Sequence, residues 1–397
     1  MATLADALRQ FAAAYLATHS LSTHQAKAWR GITACRTAAL GGQQLACDTC
    51  GHRHWQYHSC RNRHCPTCGS RAKETWLQAR LAEVLPVPYT HLVLTLPHRL
   101  NGLYYAHPRW VIDTLFACTA QTLAEFAANP TWLGIAGGTP AFTLVLHTWN
   151  QELGTHLHVH AVMACGVLGP DNQWHVPRRQ ADFLFPTPAL SRVFRGKFMA
   201  ALAAAHQDGT LERDPQGHAE PWRARRQQLY RHDWVVYAKT PLGGPAQVLA
   251  YLSRYTHRTA ISNERIRSLG AETVTFSARA NDQGGKRLVT LPGVEFVRRF
   301  MGHVLPTGIK RIRHFGVVAS ACKGLKLAAA RLALQMPAVS PRAHECAQEF
   351  MARVARIDVL RCPCCQVGRL RVIALQPGRA RLPAPLPMPS ARSRGPP

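Results

Sequence analysis

Apolar residues recur along the chain in two periods, and the changes of period mark its elements. Leu4, Leu8, Phe11 and Tyr15 fall at helical spacing, so residues 1–34 are predicted helical. Helices are also predicted over 71–85 and over 110–128, where Leu115, Phe116 and Leu123 are apolar. Between them YTHLVLTL (89–96) reads as a strand ended by Pro97, and FTLVLHTW (142–149) reads as a second strand. THLHVHAVMACGV (155–167) starts in strict alternation, with His156, His158 and His160 at every second position and Leu157, Val159 and Ala161 between them. A strand sends successive side chains to opposite faces. Three imidazoles therefore share one face, and an aliphatic row takes the other. The short NQELG segment between the last two strands predicts an antiparallel pair, with the histidines on an inner strand.

The pattern continues with a helix within Phe185–Leu202, carrying Arg192, Arg195 and Lys197, and a polar surface insertion at 207–228. Trp234–Ala238 is predicted as a strand. GGP (243–245) then opens a helix, with Pro suited to its first turn. That helix carries YLSRYTHR (251–258), in which Tyr251 and Tyr255 share a face beside Arg254, His257 and Arg258. Val248 and Leu252 point the same way, so spacing alone equally suits two core tyrosines. A hairpin is predicted from Thr273–Ser277 and Arg287–Leu291 around NDQGGK, followed by a short helix at Phe296–Leu305. IKRIRHF (309–315) is strongly basic through Lys310, Arg311 and Arg313, and 321–335 is an Ala- and Leu-rich helix. After Gly368 the chain turns to Pro, Arg and Ala, and its last 20 or so residues are expected to be disordered. Strands interleaved with helices place the chain in the α+β class.

Composition changes this picture in two ways. The 397 residues are 47% apolar, enough for two or three domains with a sizeable core. Lys and Arg number 48 against 21 Asp and Glu, a formal charge of +27. Such an excess calls for a polyanionic partner, nucleic acid first and a membrane surface second. No apolar run approaches the roughly 20 residues that span a bilayer, and no basic-then-apolar leader opens the chain, so a cytoplasmic protein is expected.

Thirteen cysteines, an odd number, argue against a disulfide framework, and their clustering argues for metal. Cys47 and Cys50 form one C-x2-C pair and Cys65 and Cys68 another, with fourteen residues between. That is close to the spacing of a four-cysteine structural zinc site. Cys35, Cys60, His58 and His64 are spare candidates. Cys362, Cys364 and Cys365 stand in CPCC, half of a knuckle with no obvious second pair nearby. Arg53, Arg61, Arg63, Arg71 and Lys73 surround the first cysteines, with Trp55 and Tyr57 among them. This dress suits nucleic acid, or a plain solvated surface. Histidines two apart on a strand can bind one ion together. They can equally line the solvated face of a half-buried strand.

Eight stretches occur in a familiar order: CRTAALGG (35–42), CRNRHCPTC (60–68), FTLVLHTWNQ (142–151), HLHVH (156–160), VFRGKF (193–198), WVVYAKTPLGGP (234–245), YLSRYTHRTAISN (251–263) and HVLPTGIKRIRHFG (303–316). In these the chain resembles, over about residues 1–370, the insertion-sequence-91 family of rolling-circle transposases, a branch of the two-tyrosine HUH endonucleases. The resemblance implies an N-terminal helical segment (1–34), a zinc-binding module (35–85) and an HUH nuclease domain (86–318) with a central antiparallel sheet flanked by helices. A C-terminal helical segment (319–375) and a tail (376–397) follow. It implies that His158 and His160 hold a catalytic Mg²⁺ or Mn²⁺, with His156 the candidate third ligand and Gln151 or Glu152 the alternatives. Tyr251 and Tyr255 would be the nucleophiles, Tyr251 acting first. Single-stranded DNA at element ends and target DNA would be the substrates, contacted by Arg254, Arg258, Lys310, Arg311 and Arg313. A plasmid-type replication initiator or relaxase is the rival enzyme. An inactive zinc-containing DNA-binding protein is the rival without chemistry.

Overall fold

A computed structural model describes residues 2–81, 83–133, 135–177, 184–211, 221–242, 247, 259–280, 284–337 and 345–378. In chain order the strands among them are β1 (Gly42–Cys47), β2 (Arg53–Tyr57), β3 (Tyr89–Thr95), β4 (Thr139–Trp149), β5 (Thr155–Leu168) and β6 (Trp174–His175). After these come β7 (Val236–Leu242), β8 (Ile266–Leu269), β9 (Thr273–Arg279), β10 (Lys286–Pro292), β11 (Ile312–Gly316) and β12 (Leu370–Gln376). The first eight helices are α1 (Leu4–Gln10), α2 (Ala12–Thr18), α3 (Thr23–Ala34), α4 (Ser70–Leu81), α5 (Asn101–Ala106), α6 (Pro108–Ala128), α7 (Pro130–Leu133) and α8 (Thr187–Gln207). Shorter helices follow at Trp222–Tyr230, Gly293–Met301, Lys323–Ala333 and Ala347–Ala355. The class is α+β, as the pattern predicts. None of the helices is long and apolar enough to cross a membrane.

The chain forms two compact units, and neither is continuous in sequence. One combines Met1–Arg71, Ile261–Val304 and Pro341–Pro397; the other combines Ala72–Ala260 and Leu305–Ser340. This division cuts across the boundaries expected at 85 and 318.

The larger unit is built on one antiparallel sheet of order β11-β4-β5-β3-β7, with β6 paired to β5. Its two faces follow directly from residue parity. Leu92 and Leu94, Leu144 and Leu146, and Leu157, Val159 and Ala161 share one buried core with Leu115, Phe116 and Leu123 of α6 and Phe194, Phe198 and Leu202 of α8. A prolyl residue lies in the first turn of each of these 21-residue helices, where a missing N–H costs nothing. Each fully buried side chain of this size contributes about 1.5–3 kcal/mol. On the opposite face, Tyr89, Val162 and Ala164 pack with Val84, Leu85, Leu327 and Ala330. Leu327 and Ala330 come from the helix Lys323–Ala333. The same face also carries the histidines.

Two features of the β11 edge give testable consequences. Gly316 has φ +63°, and a Cβ there would stand 1.8 Å from the carbonyl oxygen of Pro140. Gly316→Ala is expected to destabilise the protein by about 2 kcal/mol or more, read as a lower urea midpoint; an unchanged midpoint would contradict the packing described. The second feature is His314, whose Nε2 lies 3.0 Å from Arg80 Nη1 and whose Nδ1 lies 2.9 Å from Thr143 Oγ1. A guanidinium only donates, so His314 accepts from Arg80 and is neutral. Burial, then Arg80 and Lys323, lower its pKa to about 4. The unfolded chain takes up this proton near pH 6.5, whereas the folded protein resists until about pH 4. Its stabilising contribution is therefore full above about pH 6.5 and is lost as the pH falls towards 4. His314→Gln should lose less of its urea midpoint than the parent between pH 7.5 and 5; equal losses would refute this assignment.

The smaller unit contains α1–α3, the helix Gly293–Met301, and two three-stranded sheets, β12-β1-β2 and β10-β9-β8. Reciprocal side-chain caps fix the starts of α1 (Thr3 with Asp6) and α3 (Ser22 with Gln25). The predicted hairpin is present, with Thr273 opposite Pro292 and Arg279 opposite Lys286. It sits in this unit because Gly293 begins a helix whose Phe296, Val297 and Phe300 are buried. A Cβ at Gly293 would stand 2.2 Å from the Phe11 ring. Leu4 N also donates to Asn263 Oδ1 at 3.0 Å.

Candidate metal centres and nuclease face

Three histidines converge on the sheet face opposite α6. In the β4–β5 register His147 stands opposite His158, and Val145 opposite His160. Parity puts His147, His158 and His160 on one face, and one ring nitrogen of each lies within 4.8 Å of the others. All three are at least 90% buried. Their surroundings orient them for a ligand. His158 Nδ1 lies 2.9 Å from the backbone oxygen of His156. A carbonyl only accepts, so Nδ1 carries the proton and Nε2 presents its lone pair. His160 Nδ1 faces His91 Nε2 at 2.9 Å, and its Nε2 lies 3.1 Å from His147 Nδ1. Two imidazole nitrogens bound at right angles to one ion, each at about 2.1 Å, are roughly 3 Å apart. Burial, and then the neighbouring His156, lower the His158 pKa to about 4; burial, Lys239 and His158 lower that of His91 to about 3. His158 is thus neutral, the state a metal requires of a ligand ring.

The third histidine brought beside His158 and His160 is not the expected one. The compact group includes His147 and leaves out His156, whose Nδ1 pairs with His98 Nε2 at 3.0 Å. His156 occupies the same face one step towards the strand end, where it continues the histidine row. Gln151 and Glu152 lie in the turn between β4 and β5, and Glu152 is not part of the group. Sequence reasoning passed over His147 and His91. Their signal was the odd polar ring in each of two otherwise apolar strands, which gains meaning only once the register is known. Lys239, opposite His91 on β7, and Tyr237, opposite Val93, extend this face with an exposed cation and an exposed phenol.

The expected nucleophiles Tyr251 and Tyr255, with Arg254 and Arg258, lie outside the described residues. Of the basic stretch, Lys310 is exposed and Arg311 half-buried. Arg313 is not aimed at the histidine face. It pairs with Leu144 across the strands, forms an ion pair with Asp113, and lies 4.0 Å over the Phe116 ring. Its cation–π contact and ion pair hold β11 against α6.

The cysteines also regroup. Cys47, Cys50, Cys65 and Cys68 do not form one cluster. Cys65 and Cys68 join Cys35 and Cys60, while Cys47 and Cys50 join Cys362 and Cys365. The β1–β2 hairpin explains the exchange. Cys47 and Cys50 sit at its turn, whereas Cys60 follows the far end of β2, about 17 Å away at roughly 3.3 Å per residue. There Arg36 N donates to His58 O at 3.1 Å, which brings the Cys60 segment beside Cys35 at the end of α3. In this first cluster Cys60 Sγ and Cys68 Sγ are 3.6 Å apart, and Asn62 N donates to Cys60 Sγ at 3.5 Å. The hydrogen bond from Cys60 lowers the Cys65 pKa to about 5 and raises that of Cys60. Thiolate character in a compact, partly buried set of four sulfurs is the chemistry of structural zinc. His58 and His64 do not belong to either cluster.

Residues 141–325 match the protein family described as "Putative transposase", and residues 7–96 match the "Transposase zinc-binding domain". The chain is 40% identical over 385 residues to "Putative transposase y4qJ" of Sinorhizobium fredii, covering 94% of this chain and 96% of that protein. The chain belongs to the insertion-sequence-91 family of transposases. It is also 26% identical over 342 residues to "Transposase for insertion sequence element IS801" of Pseudomonas savastanoi pv. phaseolicola, covering 84% of this chain and 80% of that protein. No solved structure matches. The first match covers most of β4 and all of β5 and β11, and so contains His147, His158 and His160. The second contains all four cysteines of the Cys35 cluster. This transposase therefore acts on DNA and carries a zinc-binding domain.

Proposed function

We propose that this transposase nicks and rejoins single-stranded DNA at element ends through a covalent 5′-phosphotyrosine, in a rolling-circle type of transposition. The observation that supports this most is the convergence of three buried imidazoles from neighbouring strands in a chain of this family. His158, His160 and His147 would hold Mg²⁺ or Mn²⁺, with DNA phosphate oxygens and water as the hard ligands. Bound there, the ion supplies Lewis acidity and a template for the scissile phosphate.

The chain's own groups do the rest. A tyrosine oxygen, from Tyr251 or Tyr255, forms a bond to phosphorus as the bond to the 3′ oxygen breaks. The tyrosine loses its proton and the departing 3′ oxygen gains one. Rejoining reverses these steps with a new 3′-hydroxyl, so the phosphodiester energy is conserved and no nucleotide cofactor is needed. Phenol has a pKa near 10, and Arg254 and Arg258, beside the tyrosines in sequence, favour the phenolate. Two tyrosines allow one transfer on the donor and one on the target, with Tyr251 first. His91 behind His160 and the His156 carbonyl behind His158 keep two of the ligand rings in position.

The direct test is cleavage of end-sequence oligonucleotides: the reading requires cleavage of the single strand and not of the duplex, and equal cleavage of both would refute it. Binding should also be strongly salt-dependent. Six to ten phosphate contacts by this +27 chain would lower affinity on the order of 10³-fold or more between 50 and 200 mM salt. A flat salt profile would exclude phosphate contacts as the main source of affinity.

A further inference from the structure

We infer that the transposase binds a second structural zinc ion, held by Cys47, Cys50, Cys362 and Cys365, which clasps the C-terminal segment onto the β1–β2 hairpin. The family zinc domain ends at residue 96, so half of these ligands stand some 270 residues outside it.

The sulfur geometry is that of a tetrahedral thiolate site. Cys47 Sγ is 3.7 Å from Cys365 Sγ, and Cys50 Sγ is 3.7 Å from Cys362 Sγ. Four sulfurs about 2.3 Å from one zinc lie about 3.8 Å apart. Disulfide sulfurs would be about 2.05 Å apart. The two ligand loops are built alike. Cys47 N donates to His52 O, and Gly51 N to Cys47 O, with Gly51 at φ +70°. In the second loop Cys362 N donates to Gly368 O, and Gln366 N to Cys362 O, with Gln366 at φ +58°. In each C-x2-C loop the residue after the second cysteine thus turns left-handed and closes back on the first. Backbone N–H groups also point at sulfur: Cys50 N to Cys47 Sγ at 3.4 Å and Gly368 N to Cys365 Sγ at 3.3 Å. Such donors favour thiolate over thiol. Gly368 is needed because a Cβ there would stand 2.4 Å from Cys47 Sγ.

The strands beside the loops agree with a clasp. β12 pairs antiparallel with β1, from Gly42 opposite Gln376 to Cys47 opposite Leu370. Cys47, Cys362, Leu45 and Leu370 form a small buried cluster of their own. A cluster this small contributes only a few apolar contacts, so an ion is the natural source of its cohesion. Cys364, between the two C-terminal ligands, is exposed and belongs to no cluster.

The test is zinc stoichiometry of the full chain by native mass spectrometry. The site requires two ions per chain in the parent, two in Cys364→Ser and one in Cys362→Ser/Cys365→Ser. One ion in the parent, or two in the double variant, overturns it. If the double variant does not fold, alkylation mapping of the parent decides. Cys364 should react in the zinc-loaded protein, while Cys47, Cys50, Cys362 and Cys365 react together only when a chelator removes the second ion. Alkylation of Cys362 and Cys365 in the fully loaded protein contradicts the clasp. Neither readout depends on DNA cleavage, so failure here is separable from failure of the nuclease reading.

Discussion

Alanine at His158 is expected to reduce nicking of a single-stranded end oligonucleotide on the order of 10³-fold or more, the several kcal/mol that a polarising ion contributes. The melting midpoint should not fall, because removing a buried, uncharged ring at a polar face leaves the aliphatic face of β5 intact. Alanine at His147 should behave like His158→Ala. Alanine at His156 should be milder, since that ring pairs with His98 outside the compact group. This contrast assigns the third ligand. A severe loss at His156 with near-normal activity at His147 would return the role to the strand-end histidine. Loss of activity in all three variants together with loss of folding would remove the metal reading.

The largest expected effect on stability is at the Cys35 cluster. Structural zinc in a small module contributes about 10–16 kcal/mol, against roughly 5–15 for the whole stability of a typical domain. Cys65 is 1% exposed, with three other sulfurs around it. Cys65→Ser should therefore release zinc and unfold the unit that contains α1–α3, read as lost zinc and a lost unfolding transition. A chelator should do the same to the parent protein. An unchanged melting curve with unchanged zinc content would show that this cluster is a set of buried thiols and no more.

The alternation of HLHVH was enough to put its histidines on one face of β5, because parity alone decides side-chain direction. The third histidine was not legible in the same way. Finding it needs the β4–β5 register, and that register carries irregularities at Pro140/Phe142 and at His147/Trp149 which no count along the chain reveals. The cysteines show the same limit at longer range. Spacing identified pairs correctly but not which pairs meet, because the partner of Cys47 and Cys50 lies more than 300 residues on. The short strands β1, β2 and β12 were also passed over. QQLAC and RHWQY are too polar to stand out, and LRVIALQ lies against a Pro- and Arg-rich tail that dominates its composition. The basic run at 309–315 was read by charge alone. Pairing with β4 turns its Arg313 inward to Asp113 and Phe116. The resemblance supplied what neither pattern nor geometry could: a role for Tyr251 and Tyr255.

That role is the central claim, and one measurement addresses it most directly. The protein is incubated with single-stranded DNA carrying its own element end, interrupted so that rejoining is impossible, in Mg²⁺ or Mn²⁺. Denaturant-resistant adducts are then mapped by mass spectrometry. The account predicts a DNA adduct on Tyr251 or Tyr255, first on Tyr251, that is lost in His158→Ala and His160→Ala. Salt-sensitive binding without any adduct, or an adduct indifferent to both histidines, would contradict it and leave a DNA-binding protein without tyrosine chemistry.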